Sequence, residues 1–148
     1  MKKITLFLGL FLLTFNFLGC EKKADTGVHP VHYDRDMCAR CAMVVSDRKN
    51  SVQMVDPKTS KSYMFDDIGC MILWVKQEHP ELKDRTAVWV TAVNSGKWID
   101  AKTAFYTTGN VTPMAFGFSA YESKDDIKDA KEIINYREVA KRVMERKI

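Results

Sequence analysis

Two thiols and two thioethers fall within the seven positions from Met37 to Met43, in the order Met37, Cys38, Cys41, Met43, with the imidazole of His32 just upstream. The spacing is Cys-x-x-Cys-x-Met. Two cysteines three apart can bend around one ion, and thiolate and thioether sulfur selects soft cations, copper(I) above all, over harder ones. A thioether needs no deprotonation, so a site that includes Met43 depends less on pH than one built of cysteine alone.

The same residues admit other chemistry. Zinc wants four ligands, which Cys38, Cys41, Cys70 and His32 could supply, but the second close-spaced pair of a structural zinc site is missing. A thioredoxin-like redox pair uses Cys-x-x-Cys at a helix start, yet no βαβ unit precedes this one. A local disulfide, with the methionines as ordinary core residues, is a third reading. Covalent haem is excluded, because Ala42 and not histidine follows Cys41.

The start of the chain sets the compartment in which these sulfurs must work. Lys2 and Lys3 precede a mainly apolar run that ends at Leu18, followed by Gly19 and Cys20. Such a run is too short for a comfortable membrane span, which needs roughly 20 residues, and reads as a signal peptide over residues 1–19. Phe17-Leu18-Gly19-Cys20 resembles a bacterial lipobox, with Phe17 in place of the usual leucine, and predicts lipidation of Cys20. Buried acyl methylenes contribute roughly 0.8 kcal/mol each, so several chains on one residue make a lasting anchor. Residues 20–30 then serve as the lipidated cysteine and a flexible tether.

Cleavage before Cys20 also removes Lys2 and Lys3, so the net charge falls from +4 to +2. No basic stripe interleaved with aromatics is present, which argues against nucleic acid. Apart from Cys20 the exported chain keeps Cys38, Cys41 and Cys70, an odd number in a compartment that favours oxidation. Stapling is therefore not their obvious purpose, and a soft metal would protect them.

The elements that must position the sulfurs follow from local patterns. A short strand is expected at 44–46, a strand at 51–55, a turn at Asp56-Pro57-Lys58-Thr59-Ser60 and a second strand at 61–65. Asp66 or Asp67 caps a helix whose apolar residues Ile68, Met71, Ile72 and Val75 share one face, and His79-Pro80 ends it. Residues 86–93 form a buried strand. After the Asn94-Ser95-Gly96 turn, strands are expected at 97–101 and 114–121, a short helix capped by Ser123 to about residue 131, a strand at 132–136 and a final helix to about residue 146. The expected fold is α+β, with two small ββαβ-like lobes packed together, at about 31–93 and 94–148.

With these residues in place the chain resembles the NosL family, the accessory lipoproteins of nitrous oxide reductase. The match is carried by His32-Tyr33-Asp34 leading into Cys38-x-x-Cys41-x-Met43, by Phe65-Asp66 with Met71 in the helix that follows, and by Lys97-Trp98-Ile99-Asp100-Ala101, Ala104-Phe105-Tyr106 and Thr112-Pro113-Met114. The resemblance implies a two-lobed copper-binding domain over 31–148. It implies a periplasm-facing copper(I) chaperone supplying nitrous oxide reductase beside a membrane transporter complex, with no small-molecule substrate. Ala42 stands where the family often has glycine.

Cys38 and Cys41 are the leading metal ligands. Met43 joins them if the stretch from Cys41 is extended, which would set both side chains on one face. Met114 could close the site from the second lobe. His32 is a further candidate, as are Met71 and Cys70, although Met71 lies on the apolar face of its helix. Cys70 points about 100° away from Met71, so both cannot easily reach one ion. Asp66 and Asp67 suit a cap better than an acid–base pair, and no phosphate loop or nucleophile elbow is present. No enzyme is expected; a thiol–disulfide oxidoreductase or a zinc-stabilised assembly adaptor are the alternatives.

Overall fold

The computed structural model describes residues 25–146, so the expected signal peptide over residues 1–19 and the expected lipidation site at Cys20 lie outside the described residues. The first lobe is built on a four-stranded antiparallel sheet. β1 (Val52–Asp56) lies at its centre and is buried along its whole length, between β2 (Lys61–Phe65) and β3 (Ala87–Thr91). Val52 faces Phe65 on one side and Val90 on the other. The hairpin between β1 and β2 is closed by Asp56, whose carboxylate accepts from Lys58 N at 3.1 Å and Thr59 Oγ1 at 2.9 Å. The expected proline turn thus owes its closure to the aspartate before the proline.

Helix α1 (Ile68–Gln77) follows β2 directly, with Asp67 as its cap: the side chain accepts from Gly69 N at 3.0 Å. Its apolar positions pack onto the sheet, and the helix stops before His79-Pro80, where the His79 ring stacks on Trp74 at 4.0 Å. β4 (Trp98–Asp100) pairs with β3, giving the order β2-β1-β3-β4. The first sheet therefore takes in a strand that lies beyond residue 93.

In the second lobe β5 (Phe105–Thr107) is flanked by β6 (Ser119–Tyr121) and β7 (Ile133–Asn135), and α2 (Tyr136–Glu145) closes the chain. Asn135 caps α2 by accepting from Glu138 N at 3.0 Å. The lobes are joined by a parallel bridge between Ala92 and Ala120 and by a buried bond from Ser119 Oγ to Asn50 at 3.0 Å. The outcome is the expected α+β fold of two small lobes.

Several elements differ from their sequence-based expectations. Residues 44–46 form no strand; Val44 makes one bridge with Met37. The strand expected from Met114 begins only at Ser119, because Thr112 accepts from Ala115 N at 2.9 Å and Ala115 takes φ +56°, which folds the segment into a turn. The helix after Ser123 is a single 3-10 turn, Lys124–Asp126. Its capping box is present, but residues 128–131 are all exposed and offer no apolar face to propagate a helix. β5 was not expected as a strand; at three residues it is too short to show an alternation.

The tether is bound earlier than its composition suggests. The buried Gln53 amide accepts from His29 N at 2.7 Å and donates to His29 O at 3.2 Å, and Trp89 Nε1 donates to Thr26 O at 2.8 Å. Gln53 and Trp89 are register partners on β1 and β3, so one face of the sheet holds this segment.

Candidate metal centre

Residues 34–45 fold back on themselves. Asp34 N donates to Val45 O at 3.0 Å, Val45 N to Asp36 O at 2.8 Å and Cys38 N to Met43 O at 2.8 Å. At the tip, Ala42 N donates to Cys38 O at 2.9 Å, and Ala42 itself takes φ +55°, the left-handed region that favours glycine. The loop is fastened to β2 by Ala39 N, which donates to Met64 O at 2.8 Å. That contact sets Cys38 beside the end of β2 and the start of α1, where Cys70 occupies the first turn.

The result is a cluster of three free thiols. The sulfur atoms of Cys38, Cys41 and Cys70 lie within 4.8 Å of one another. Cys38 and Cys70 are buried, at 2% and 0% exposure, whereas Cys41 is partly exposed. Among the described residues this is where histidine, cysteine or acidic side chains come close enough together to hold one ion.

The electrostatics divide the three thiols. A hydrogen bond from the Cys70 thiol holds Cys38 well below the ordinary thiol range, against the effect of burial, and the backbone N–H groups of Cys41, Asp66 and Arg40 act in the same direction. The reciprocal bond to Cys38, with burial and the charge on Cys38, pushes Cys70 up. Burial pushes Cys41 up. These opposed shifts favour the thiolate on Cys38 over its two neighbours, and the thiolate is the form of cysteine that binds a soft cation.

Of the expected ligands, Cys38 and Cys41 are brought together, and Cys70 joins them. The extended stretch that would set Met43 on the face of Cys41 is broken by the left-handed Ala42. The register that pairs Met37 with Val44 instead sets Met43 opposite Cys38, on the same face of the loop. Met43 is half exposed, as is Met37. Met114 is partly buried in the turn after Thr112, and its backbone N donates to Asp67 Oδ2 at 3.3 Å, which fixes the turn to the end of α1 that carries Cys70.

His32 is exposed, with its ring 3.7 Å from Asp36, and is not part of the cluster. It lines a separate pocket with Met37 and Met64. Met71 is buried and lines a cavity between α1 and α2 instead.

Sequence reasoning missed Asp66. It is buried at 4% exposure beside the cluster, its backbone N–H faces the Cys38 sulfur, and its Oδ1 has no hydrogen-bond partner among the described residues. Burial, then the charge on Cys38, pushes its carboxyl up. The signal was present in the doubled acid at 66–67, since one helix needs one cap and Asp67 fills that place.

Comparison with curated proteins gives no match. Among solved structures, the crystal structure of the copper chaperone NosL from Shewanella denitrificans is similar in fold, with a TM-score of 0.63 at 14% identity, over 77% of this chain and 96% of that one. At this identity the likeness speaks for the fold. The sequence model of the NosL family matches residues 30–137, a span that holds all three clustered thiols, both sheets and the turn of Met114. On that match the chain belongs to the NosL family.

Proposed function

We propose that this chain is a copper(I) chaperone of the bacterial cell envelope, lipid-anchored through Cys20 and facing the periplasm, which delivers copper for the maturation of nitrous oxide reductase beside its membrane transporter complex. The observation that carries this reading is the three-thiol cluster, with two sulfurs buried and one at the surface. Family membership and the fold shared with a protein described as a copper chaperone support it.

Copper(I) is the cargo, and the reaction is ligand exchange. Cys38 and Cys70 hold the ion from the buried side, and Cys41 from the loop. Met43 at the rim, with Met114 from the second lobe, supplies neutral sulfur that binds without deprotonation. An incoming sulfur from the acceptor approaches over the exposed rim and binds before Cys41 leaves. The ion never enters free solution, and no bond of a substrate is made or broken. A lipid anchor a few residues before Thr26 confines donor and acceptor to one membrane surface, which raises their effective concentration. Among the described residues no helix is long and apolar enough to cross a membrane.

The test is anaerobic titration of the reduced, intact chain with copper(I) against a chromophoric chelator, with zinc in parallel. One ion per chain, weak zinc binding and loss of affinity in the Cys38→Ser/Cys41→Ser double variant are expected. Failure to compete with the chelator, or undiminished binding in a folded double variant, would overturn the assignment.

A further inference from the structure

Between the first sheet, α1 and α2 lies a cavity of about 440 Å³ that no clustered cysteine lines. Its volume falls in the range of small-molecule sites, roughly 300–1,000 Å³. Met54 and Val88 rise into it from the sheet, Met71 and Val75 from α1, and Ala140 and Met144 from α2. An apolar cavity of this size favours apolar matter over water.

The mouth has a different character. Lys76, Lys83 and Lys102 stand around it against one carboxylate, Asp84. Lys102 Nζ donates to Thr86 O at 3.2 Å and Lys76 Nζ to Met144 O at 3.5 Å, and among the described residues none of the three lysines forms an ion pair. Tyr136 also lines the cavity, and burial pushes its hydroxyl up to about 12, so it remains a hydrogen-bond donor at neutral pH. Two buried thioethers, Met54 and Met71, and the more exposed Met144 line the cavity, but the ammonium groups at the entrance repel a cation. That decides against a second copper ion and for an anion.

We infer that this cavity binds an anionic amphiphile, with one acyl chain lying among Met54, Met71 and Met144 and a carboxylate or phosphate head meeting Lys76, Lys83 and Lys102. Methionine suits such a wall, because its unbranched, polarizable side chain adapts to a chain of variable length. The head has two natural sources, a free fatty acid and an anionic phospholipid of the membrane.

The experiment uses membranes from cells producing the intact chain, photolysed with a palmitate analogue that carries a diazirine in its acyl chain, and maps the labelled peptides. Label is expected on β1, α1 and α2, and it should fall at least fivefold in Ala140→Phe, which fills the cavity, and in Lys83→Glu/Lys102→Glu, which inverts its mouth. Far-UV circular dichroism of the purified intact variants controls for folding, and the lysine variant carries the test if the filled variant does not fold. Displacement by excess palmitate assigns a fatty acid; displacement by phosphatidylglycerol vesicles but not by palmitate assigns a phospholipid. Label that neither displaces, or that is unchanged in a folded variant of either kind, would overturn the inference.

Discussion

Asp67 Oδ2 accepts a hydrogen bond of 2.6 Å from Thr112 Oγ1, and through it the cap of the helix that carries Cys70 is tied to the turn that carries Met114. The same carboxylate accepts from Gly69 N at 3.0 Å and Met114 N at 3.3 Å. Burial pushes this carboxyl up, and the hydrogen bonds, that of Thr112 foremost, oppose the shift. One buried acid thus begins α1 and holds the second lobe against the metal centre.

Thr112→Val keeps the shape of the side chain and removes the donor. A buried carboxylate that loses a partner is expected to destabilise the fold by about 1–3 kcal/mol. The midpoint of chemical denaturation measures it. Because the turn of Met114 is freed at the same time, copper(I) affinity should also fall, and an unchanged midpoint would show that water or another group replaces Thr112.

Neighbouring sulfurs on α1 have opposite expectations. Cys70→Ser should weaken copper(I) binding at least tenfold, because it removes a thiol from the cluster. Met71→Leu should leave copper binding unchanged and shift stability by less than about 1.5 kcal/mol, as volume-conserving core exchanges do. Chelator competition on both variants separates them; loss of affinity in Met71→Leu would return Met71 to the site.

What could be foreseen divides along the range of the interactions. The hairpin at Asp56-Pro57, the cap at Asp67 and the stop at His79-Pro80 are settled by residues within four positions of one another, and they lie where the sequence pattern put them. Cys70 ranked below Cys38 and Cys41, because its approach depends on Ala39 N meeting Met64 O, a contact with no local signature. Met43 shares the face of Cys41 only if the stretch between them is extended, and the φ of Ala42 that breaks it arises in the closed loop. β5 and the turn of Met114 are held by pairing and by Asp67 from elsewhere in the chain, so neither shows in its own residues.

Ala42 takes φ +55° at the tip of the cysteine loop. A left-handed conformation costs an alanine about 1–2 kcal/mol, and glycine escapes that at an entropic cost of about 0.4–1 kcal/mol in the unfolded chain. Ala42→Gly is therefore expected to stabilise the protein slightly, by up to about 1 kcal/mol, whereas Ala42→Val should destabilise it and loosen copper binding. Thermal unfolding of the two variants in parallel gives the sign directly.

Arg142 holds α2 to the residue that precedes β7: its Nη1 and Nη2 donate to Glu132 at 2.6 and 2.7 Å, and its Nε donates to Glu138, one turn back in α2, at 2.8 Å. The hydrogen bond from Arg142 lowers Glu132 below its ordinary value of 4.5. A lowered folded pKa means that this contribution is present above the ordinary value and is lost as pH falls through the folded one. Denaturation midpoints should therefore drop less steeply on acidification in Arg142→Met than in the parent protein. Equal slopes would mean that the exposed pair contributes nothing measurable.

Gly69 lies in the first turn of α1, immediately before Cys70, and a Cβ placed there would meet Phe116 Cγ at well under van der Waals distance. Phe116 is buried and belongs to the turn that follows Met114, with Arg146 over its outer face at 5.4 Å. The ring can yield only by lifting the second lobe from the helix or by tilting the helix start. Overpacking of this kind costs about 1–3 kcal/mol, so Gly69→Ala should destabilise the fold despite alanine's better helix propensity. It should also weaken copper(I) binding, because either movement displaces Cys70 or Met114 relative to the cysteine loop. In Gly69→Ala/Phe116→Leu the smaller side chain relieves the clash, and recovery of both stability and affinity is expected. Recovery of stability without affinity would place the aromatic ring itself, and not the helix position, in the support of the metal centre.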